Sequence, residues 1–284
     1  MTSFKENPEE TIIREIESFV SGSSGNRKSK LDGTPYFDTP LVGFADARDH
    51  LFLEFKDIID DFHLTPLEVL ARSFPEQTDS SDGSSVISWI LPICKSTRES
   101  NRKETRYPSM AWAHTRTYGE EFNEQLRKHV VSFIQEQGGL AVAPMISPLF
   151  EIHQSEKAGF CSNWSERHIA YVAGLGTFSL SRGLITPKGI AIRCGSVVTN
   201  LKLTPTPKSY SDFQEHCLFY NSGKCGTCIE RCPGGAISKE GHDKDLCAIH
   251  CHEIMQKCDE YDAAMPGCGL CQTEVPCKAG IPDA

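Results

Sequence analysis

Apolar residues recur at helical spacing in several stretches of the chain. Ile12, Ile13, Ile16, Phe19 and Val20 follow an acidic start and stop at Ser21-Gly-Ser-Ser-Gly25, which predicts a short amphipathic helix. Phe122, Leu126, Val130, Phe133 and Ile134 form one stripe on a helix of about 20 residues, closed by Gly138 and Gly139. A further helix is predicted over residues 165–172, ending at Gly174 and Gly176. Residues 86–93 (VISWILPI) form an apolar run without a helical period, expected as a buried strand with an irregular end at Pro92. Residues 140–145 read as the next strand, and 189–203 as β structure turning at Asn200. Between the first helix and these strands, residues 26–38 are basic and then Gly- and Pro-bearing, the pattern of an exposed loop. Mixed helices and strands predict an α/β or α+β core.

Composition adds limits. The 284 residues are 39% hydrophobic and 24% charged, the profile of a soluble globular protein. No run reaches the roughly 18 apolar residues that a membrane span needs, and residues 1–10 are polar and acidic, unlike a secretory signal. A cytoplasmic protein without a membrane partner is therefore expected. A net charge of −9 opposes general attraction to nucleic acid or anionic lipid. Composition changes abruptly near residue 205, where residues 203–209 (LTPTPKS) favour extended chain, so the predicted domains are 1–205 and 206–284.

Cysteine changes the picture most. Ten of the 13 cysteines lie from Cys217 onward, and in a reducing compartment metal ligation is the better expectation than disulfides. Cys225-Gly-Thr-Cys228-Ile-Glu-Arg-Cys232-Pro233 is the greater part of the bacterial ferredoxin ligand run, in which the Cys before Pro serves the other of two clusters. Cys268-Gly-Leu-Cys271 and Cys277 supply a partner set. Two [4Fe-4S] clusters need eight thiolates. The predicted ligands are Cys217, Cys225, Cys228 and Cys277 for one, and Cys232, Cys247, Cys268 and Cys271 for the other. Cys251 and Cys258 are then spare, although helical spacing could present Cys251 in place of Cys247. Cys217 stands apart from the usual first position, three residues before Cys225, which is Ser222. A zinc ribbon built on the two Cys-x2-Cys pairs is the competing reading. Its pairs would be separated by 39 residues, against a typical 15 to 20 or so, and it would leave six nearby thiols unused. Cys94 and Cys194 are expected as inert buried thiols, and Cys161 on a loop.

From residue 109 to Cys277 the chain resembles the epoxyqueuosine reductase family, whose relatives include corrinoid reductive dehalogenases. The resemblance rests on Ala173-Gly-Leu-Gly-Thr-Phe178, Gly195-Ser-Val-Val-Thr-Asn200, residues 225–237 (CGTCIERCPGGAI), Asp243-Lys-Asp-Leu-Cys247 and Cys268-Gly-Leu-Cys271. It implies a nitroreductase-like α/β domain that holds cobalamin, followed by a ferredoxin-like α+β domain with two [4Fe-4S] clusters that supplies electrons. Residues 1–205 would then be the corrinoid domain, with Gly174 and Gly176 as candidate cofactor contacts. Where the family carries a proton-donating Asp before a Pro, this chain has Met145, whose thioether cannot deliver a proton. The family's Asp-Tyr-His segment appears as Thr117-Tyr118-Gly119. The family's C-terminal helical repeats that help bind tRNA have no counterpart after Cys277, so with the acidic charge tRNA is not the expected substrate. Replacement acids could come from His114, Arg116, Tyr118, His153, Glu156 or His168, with Tyr118 and His153 as the catalytic candidates.

The function expected is an iron–sulfur reductase in which two clusters, fed by a low-potential ferredoxin or flavodoxin, pass electrons to a cobalamin that reduces a small molecule. The alternatives are an electron-transfer protein without corrinoid, or a corrinoid-binding reductive activator of another enzyme.

Overall fold

The computed structural model describes residues 4–80 and 83–283. The first lobe runs α1 (Pro8–Gly22), β1 (Leu41–Asp46), α2 (Leu51–Ile58), α3 (Pro66–Ser73), β2 (Ser85–Pro92), α4 (Lys95–Asn101), α5 (Met110–Glu136) and β3 (Ala141–Val142). It continues through β4 (Ile152–Ser155), β5 (Gly159–Ser162), α6 (Glu166–Val172), β6 (Thr177–Phe178), β7 (Leu184–Ile185) and β8 (Ile192–Thr199). After an extended connection come α7 (Leu218–Ser222), α8 (Thr227–Glu230), β9 (Ile237–Ser238), β10 (Gly241–His242) and α9 (Lys244–Met255). Among the described residues no helix is long and apolar enough to cross a membrane.

A four-stranded antiparallel sheet in the order β1-β2-β8-β3 forms the middle layer. β2 is buried along its whole length because both of its faces are covered. Ile87, Trp89 and Leu91 point into a core shared with α1 and α5, through Ile12, Ile16, Phe122, Leu126 and Val130. Val86 and Ile90 point the other way, onto Phe52 and Phe55 of α2, Val69 of α3 and Ile169 and Val172 of α6. The continuous apolar run in the sequence is thus two alternating stripes, one for each face.

Helix starts follow local chemistry. The Ser109 hydroxyl accepts from the Trp112 N–H at 3.2 Å and opens α5, and Thr65 with Glu68 closes a capping box on α3. α5 begins well before the apolar stripe that announced it. Its first turns bury Trp112, Ala113, His114 and Thr115 in succession, because tail and sheet cover them from several sides, and this erases the helical period.

Three sequence expectations are corrected, the first of them in part, and one is refined. Residues 26–38 are an exposed loop only in part: Arg27, residues 29–33 and Asp38 are exposed, but Asn26, Lys28, Tyr36 and Phe37 are buried, and the Lys28 ammonium donates to Pro35 O at 2.6 Å and Thr97 Oγ1 at 3.2 Å. Cys94 is buried as expected, but its thiol meets Lys28 Nζ at 3.3 Å together with the Ser96 and Thr97 hydroxyls. Burial alone would raise that thiol, yet these donors outweigh it and bring it below the usual range. Cys161 lies in β5, paired with His153 of β4, and not on a loop. The strand expected over 140–145 stops after Val142 and gives way to a 3-10 turn at Pro144–Ile146.

Candidate functional site

The tail cysteines gather into two sets. Cys217, Cys225, Cys228 and Cys277 line one cavity with Ile185, Ile190, Phe219 and Val275, and Cys271 lines both this cavity and the second. Burial, then the neighbouring Cys217 and Cys225, pushes the Cys228 thiol up to about 11; burial with Cys217 and Cys228 pushes Cys277 up to about 12. Such mutual discouragement of ionisation means that the sulfurs share one small space. Cys232, Cys247, Cys268 and Cys271 form the second set. Burial raises Cys271, with Cys268, Cys247 and Cys232 adding to it, and burial brings Cys268 up to about 11.

Cys251 sits one helical turn from Cys247 on α9 and shares a hydrogen bond with it, which raises Cys247 and lowers Cys251. Both line the second cavity, so geometry leaves both thiols within reach of that set. Cys258 lines neither cavity and faces Asp259. Among the described residues, no three His, Cys, Asp or Glu side chains converge on a point that one metal ion could fill.

Backbone geometry around the sulfurs is specific. The Ala236 N–H donates to Cys232 Sγ at 3.3 Å, and the Leu270 N–H lowers Cys268 against the burial that raises it. Donors of this kind stabilise thiolate ligands and tune what they bind. Gly269, between Cys268 and Leu270, has φ +67°, and a Cβ placed on it would lie 1.9 Å from the Trp112 ring. Only glycine lets this ligand loop lie so close to α5.

The second cavity, about 430 Å³, lies between the lobes. Tail residues including Cys247, Cys251, Cys268 and Cys271 form one wall. Ile93, Trp112, Arg116, Arg167, Ile192 and Arg193 form the other. An ion network fixes Arg193 from behind: its Nε donates to Glu120 Oε2 at 2.7 Å, while Arg127 Nη1 donates to Glu120 Oε1 at 2.8 Å. Burial raises the Glu120 carboxyl, but the Arg193 and Arg127 charges outweigh it and hold the group at about 2. Arg127 also reaches Glu166 at 3.3 Å, and burial keeps Glu166 above the usual carboxylate range.

The other sequence candidates fall elsewhere. Tyr118 does not line the cavity: its hydroxyl donates to Asp262 O at 2.6 Å and accepts from Lys30 Nζ at 2.6 Å, a strap between lobe and tail. His153 stacks on Phe62, with ring centroids 4.1 Å apart, in the β4–β5 hairpin and pairs with Glu151. His114 faces Tyr261 O at 2.8 Å, His168 faces the Ser165 hydroxyl at 2.7 Å, and Glu156 sits exposed in the hairpin turn. Gly174 and Gly176 meet the chain itself: a Cβ on Gly176 would stand 2.3 Å from Ile185 O, and one on Gly174 would stand 3.3 Å from Thr206 O. Backbone packing accounts for both glycines. Of the replacement acids, Arg116 alone lines the cavity, joined by Arg167 and Arg193, which no local pattern in the sequence marks.

No protein-family description and no curated protein matches the chain. Solved structures do. Epoxyqueuosine reductase from Bacillus subtilis superposes with a TM-score of 0.52 at 15% identity, over 98% of this chain and 67% of that one. An epoxyqueuosine reductase solved with an epoxyqueuosine-modified tRNA-Tyr stem loop gives 0.53 at 15% identity over the same shares. A catabolic reductive dehalogenase gives 0.50 at 13% identity, covering 96% of this chain but 37% of the dehalogenase. The chain is thus a mixed α/β protein with the fold seen in epoxyqueuosine reductases and in a reductive dehalogenase.

Proposed function

We propose that this chain is an iron–sulfur oxidoreductase in which residues 206–284 hold two [4Fe-4S] clusters and residues 1–205 present a small molecule to them. The observation that carries the reading is that nine of the ten tail thiols line two adjoining cavities, with Cys271 common to both. Cys217, Cys225, Cys228 and Cys277 would hold one cluster, and Cys232, Cys247, Cys268 and Cys271 the other. The buried thiols and their backbone N–H donors suit such a group, since ligation takes up the charge that burial otherwise disfavours. Clusters bound there supply single electrons at low potential, with a ferredoxin or flavodoxin as donor.

A corrinoid, the group that the fold relatives make relevant, would rest against this interlobe cavity with part of its body, since about 430 Å³ does not take the whole of such a group. The cavity adjoins the second thiol set and offers an apolar wall in Ile93, Trp112 and Ile192 for a ring system, with Arg116 left for a polar substituent. A corrinoid bound there would supply a strongly reducing metal centre. The chain's own part is to exclude water with that wall, to orient the occupant against Arg116 and Arg193, and to keep Arg193 in place through Glu120. Neither the Gly174–Gly176 turn nor Tyr118 nor His153 belongs to this reading.

Oxygen-free purification with iron, sulfide and cobalt counts tests it. About eight iron and eight sulfide per chain are expected, with added cobalamin retained and its spectrum shifted. Colourless protein that contains zinc overturns the cluster reading. Full iron with no response to cobalamin leaves the electron-transfer reading without corrinoid.

A further inference from the structure

Three guanidinium groups line the interlobe cavity across from its thiols. Arg116 from α5, Arg167 from α6 and Arg193 from β8 all line it, and no Asp or Glu does. Glu120 is engaged by Arg193 and shared with Arg127 behind the wall. Among the described residues Arg116 has no hydrogen-bond or ion-pair partner. Arg167 gives one N–H to Arg182 O at 2.6 Å and keeps exposed surface. The Arg193 charge, and then burial, brings Arg116 down to about 10, as happens when cations are held side by side.

We infer that this cavity binds an oxyanion, a carboxylate or a phosphate, through Arg116, Arg167 and Arg193. A guanidinium fork matches the paired oxygens of either group, and charge-assisted bonds of this kind are stronger than neutral ones. The volume, about 430 Å³, lies in the range of ordinary small-molecule sites. The apolar wall of Ile93, Trp112 and Ile192 would take the organic body of the ligand while the arginines hold its charged end. This names the chemistry of the group that the cavity takes, whether substrate or cofactor tail, and rests on the proposed reading of the cavity. The competing role for the arginines is to balance the thiolates, since Arg116 feels Cys251 and Arg167 feels Cys271. The cluster proposed for the second thiol set would take part of this volume, and the inference concerns the space that remains in front of the arginines.

Calorimetric titration of the oxygen-free holoprotein with benzoate and with inorganic phosphate tests the inference, with neutral benzamide as control. Arg116→Met and Arg167→Met are titrated alongside, and iron content and cluster potential are measured on every sample. The expected result is one anion per chain, silence with benzamide, and affinity at least about tenfold weaker in each variant at unchanged iron content. The inference is overturned if neither anion binds, or if both variants bind as the parent does. A shifted potential with unchanged anion binding also overturns it and assigns the arginines to the cluster. Iron-free parent protein would sink the cluster reading alone, because the anion titration stays readable without it. Competition separates the two sources of the oxyanion. Displacement by cobalamin but not by cobinamide, which lacks the nucleotide phosphate, identifies a corrinoid tail; displacement by neither identifies a free anionic substrate.

Discussion

Replacing Glu120 by Gln removes one charge and almost no volume from the ion network behind the cavity. Its side chain is 17% exposed and that of Arg127 is 1% exposed, so water does little to screen the pair. The carboxyl is held at about 2 against an ordinary value of 4.5. At about 1.4 kcal/mol per pH unit, that difference corresponds to about 3 kcal/mol of stability at neutral pH. Because the folded-state value is depressed, the contribution is complete above about pH 4.5 and is lost as pH falls toward 2. Glu120→Gln at pH 7 should therefore cost about 3 kcal/mol, in line with the cost of breaking a buried ion pair. Urea unfolding of the oxygen-free holoprotein, followed by tryptophan fluorescence, reads it, and Trp89 reports locally because its indole N–H donates to Asn123, which in turn donates to Glu120. Combined with Arg127→Met, the two losses should fall well short of additive. A loss below about 1 kcal/mol for Glu120→Gln, or strict additivity, would refute the network as an energetic unit.

Cys228→Ser and Cys271→Ser, one in each thiol set, should each lose about half of the iron and sulfide; unchanged iron in either removes that residue from its set. Gly269→Ala, which drives a Cβ into the Trp112 ring, should deplete iron from the second set and lower the thermal midpoint, and a variant that keeps full iron and the parental midpoint contradicts the close approach. Burial holds His168 at about 3 and His63 at about 4, so both are neutral in the folded protein. Their contribution to stability is complete above the unfolded value of about 6.5 and fades as pH falls toward 4, so the urea midpoint should drop between pH 7 and 5.5 and drop less in His168→Leu; equal slopes would falsify the assignment.

The central strand, the first helix and the β8 stretch were readable because each has a clean period or a continuous apolar run. The β4–β5 hairpin and strand β1 were not singled out, since short strands with mixed faces carry little pattern of their own. The gathering of the tail thiols is legible in their close spacing, as Cys225, Cys228 and Cys232 occupy one loop and helix turn. The arginine wall could not be, because residues 116, 167 and 193 are far apart in sequence and only the stacking of α5, α6 and β8 brings them together. The Gly174–Gly176 turn is ambiguous for a related reason: a Gly-Leu-Gly turn serves a ligand or a neighbouring backbone equally well in one dimension, and here Ile185 and Thr206 pack against it on the side where a side chain would stand.

The carbonyl of Cys277 accepts the Ile190 N–H at 2.9 Å, and the next carbonyl, Lys278 O, accepts from Arg98 at 2.9 Å. The final cysteine of the first set is therefore anchored to the strand-bearing lobe, while Cys225 and Cys228 belong to the tail. Closing that ring of sulfurs and docking the lobes become a single event during maturation. His216, beside Cys217, is held in the same way by Thr177 Oγ1 at 2.9 Å, so an excised tail would present only Cys225 and Cys228 of the four, and on the two-cluster reading loading with iron should wait until the whole polypeptide has folded.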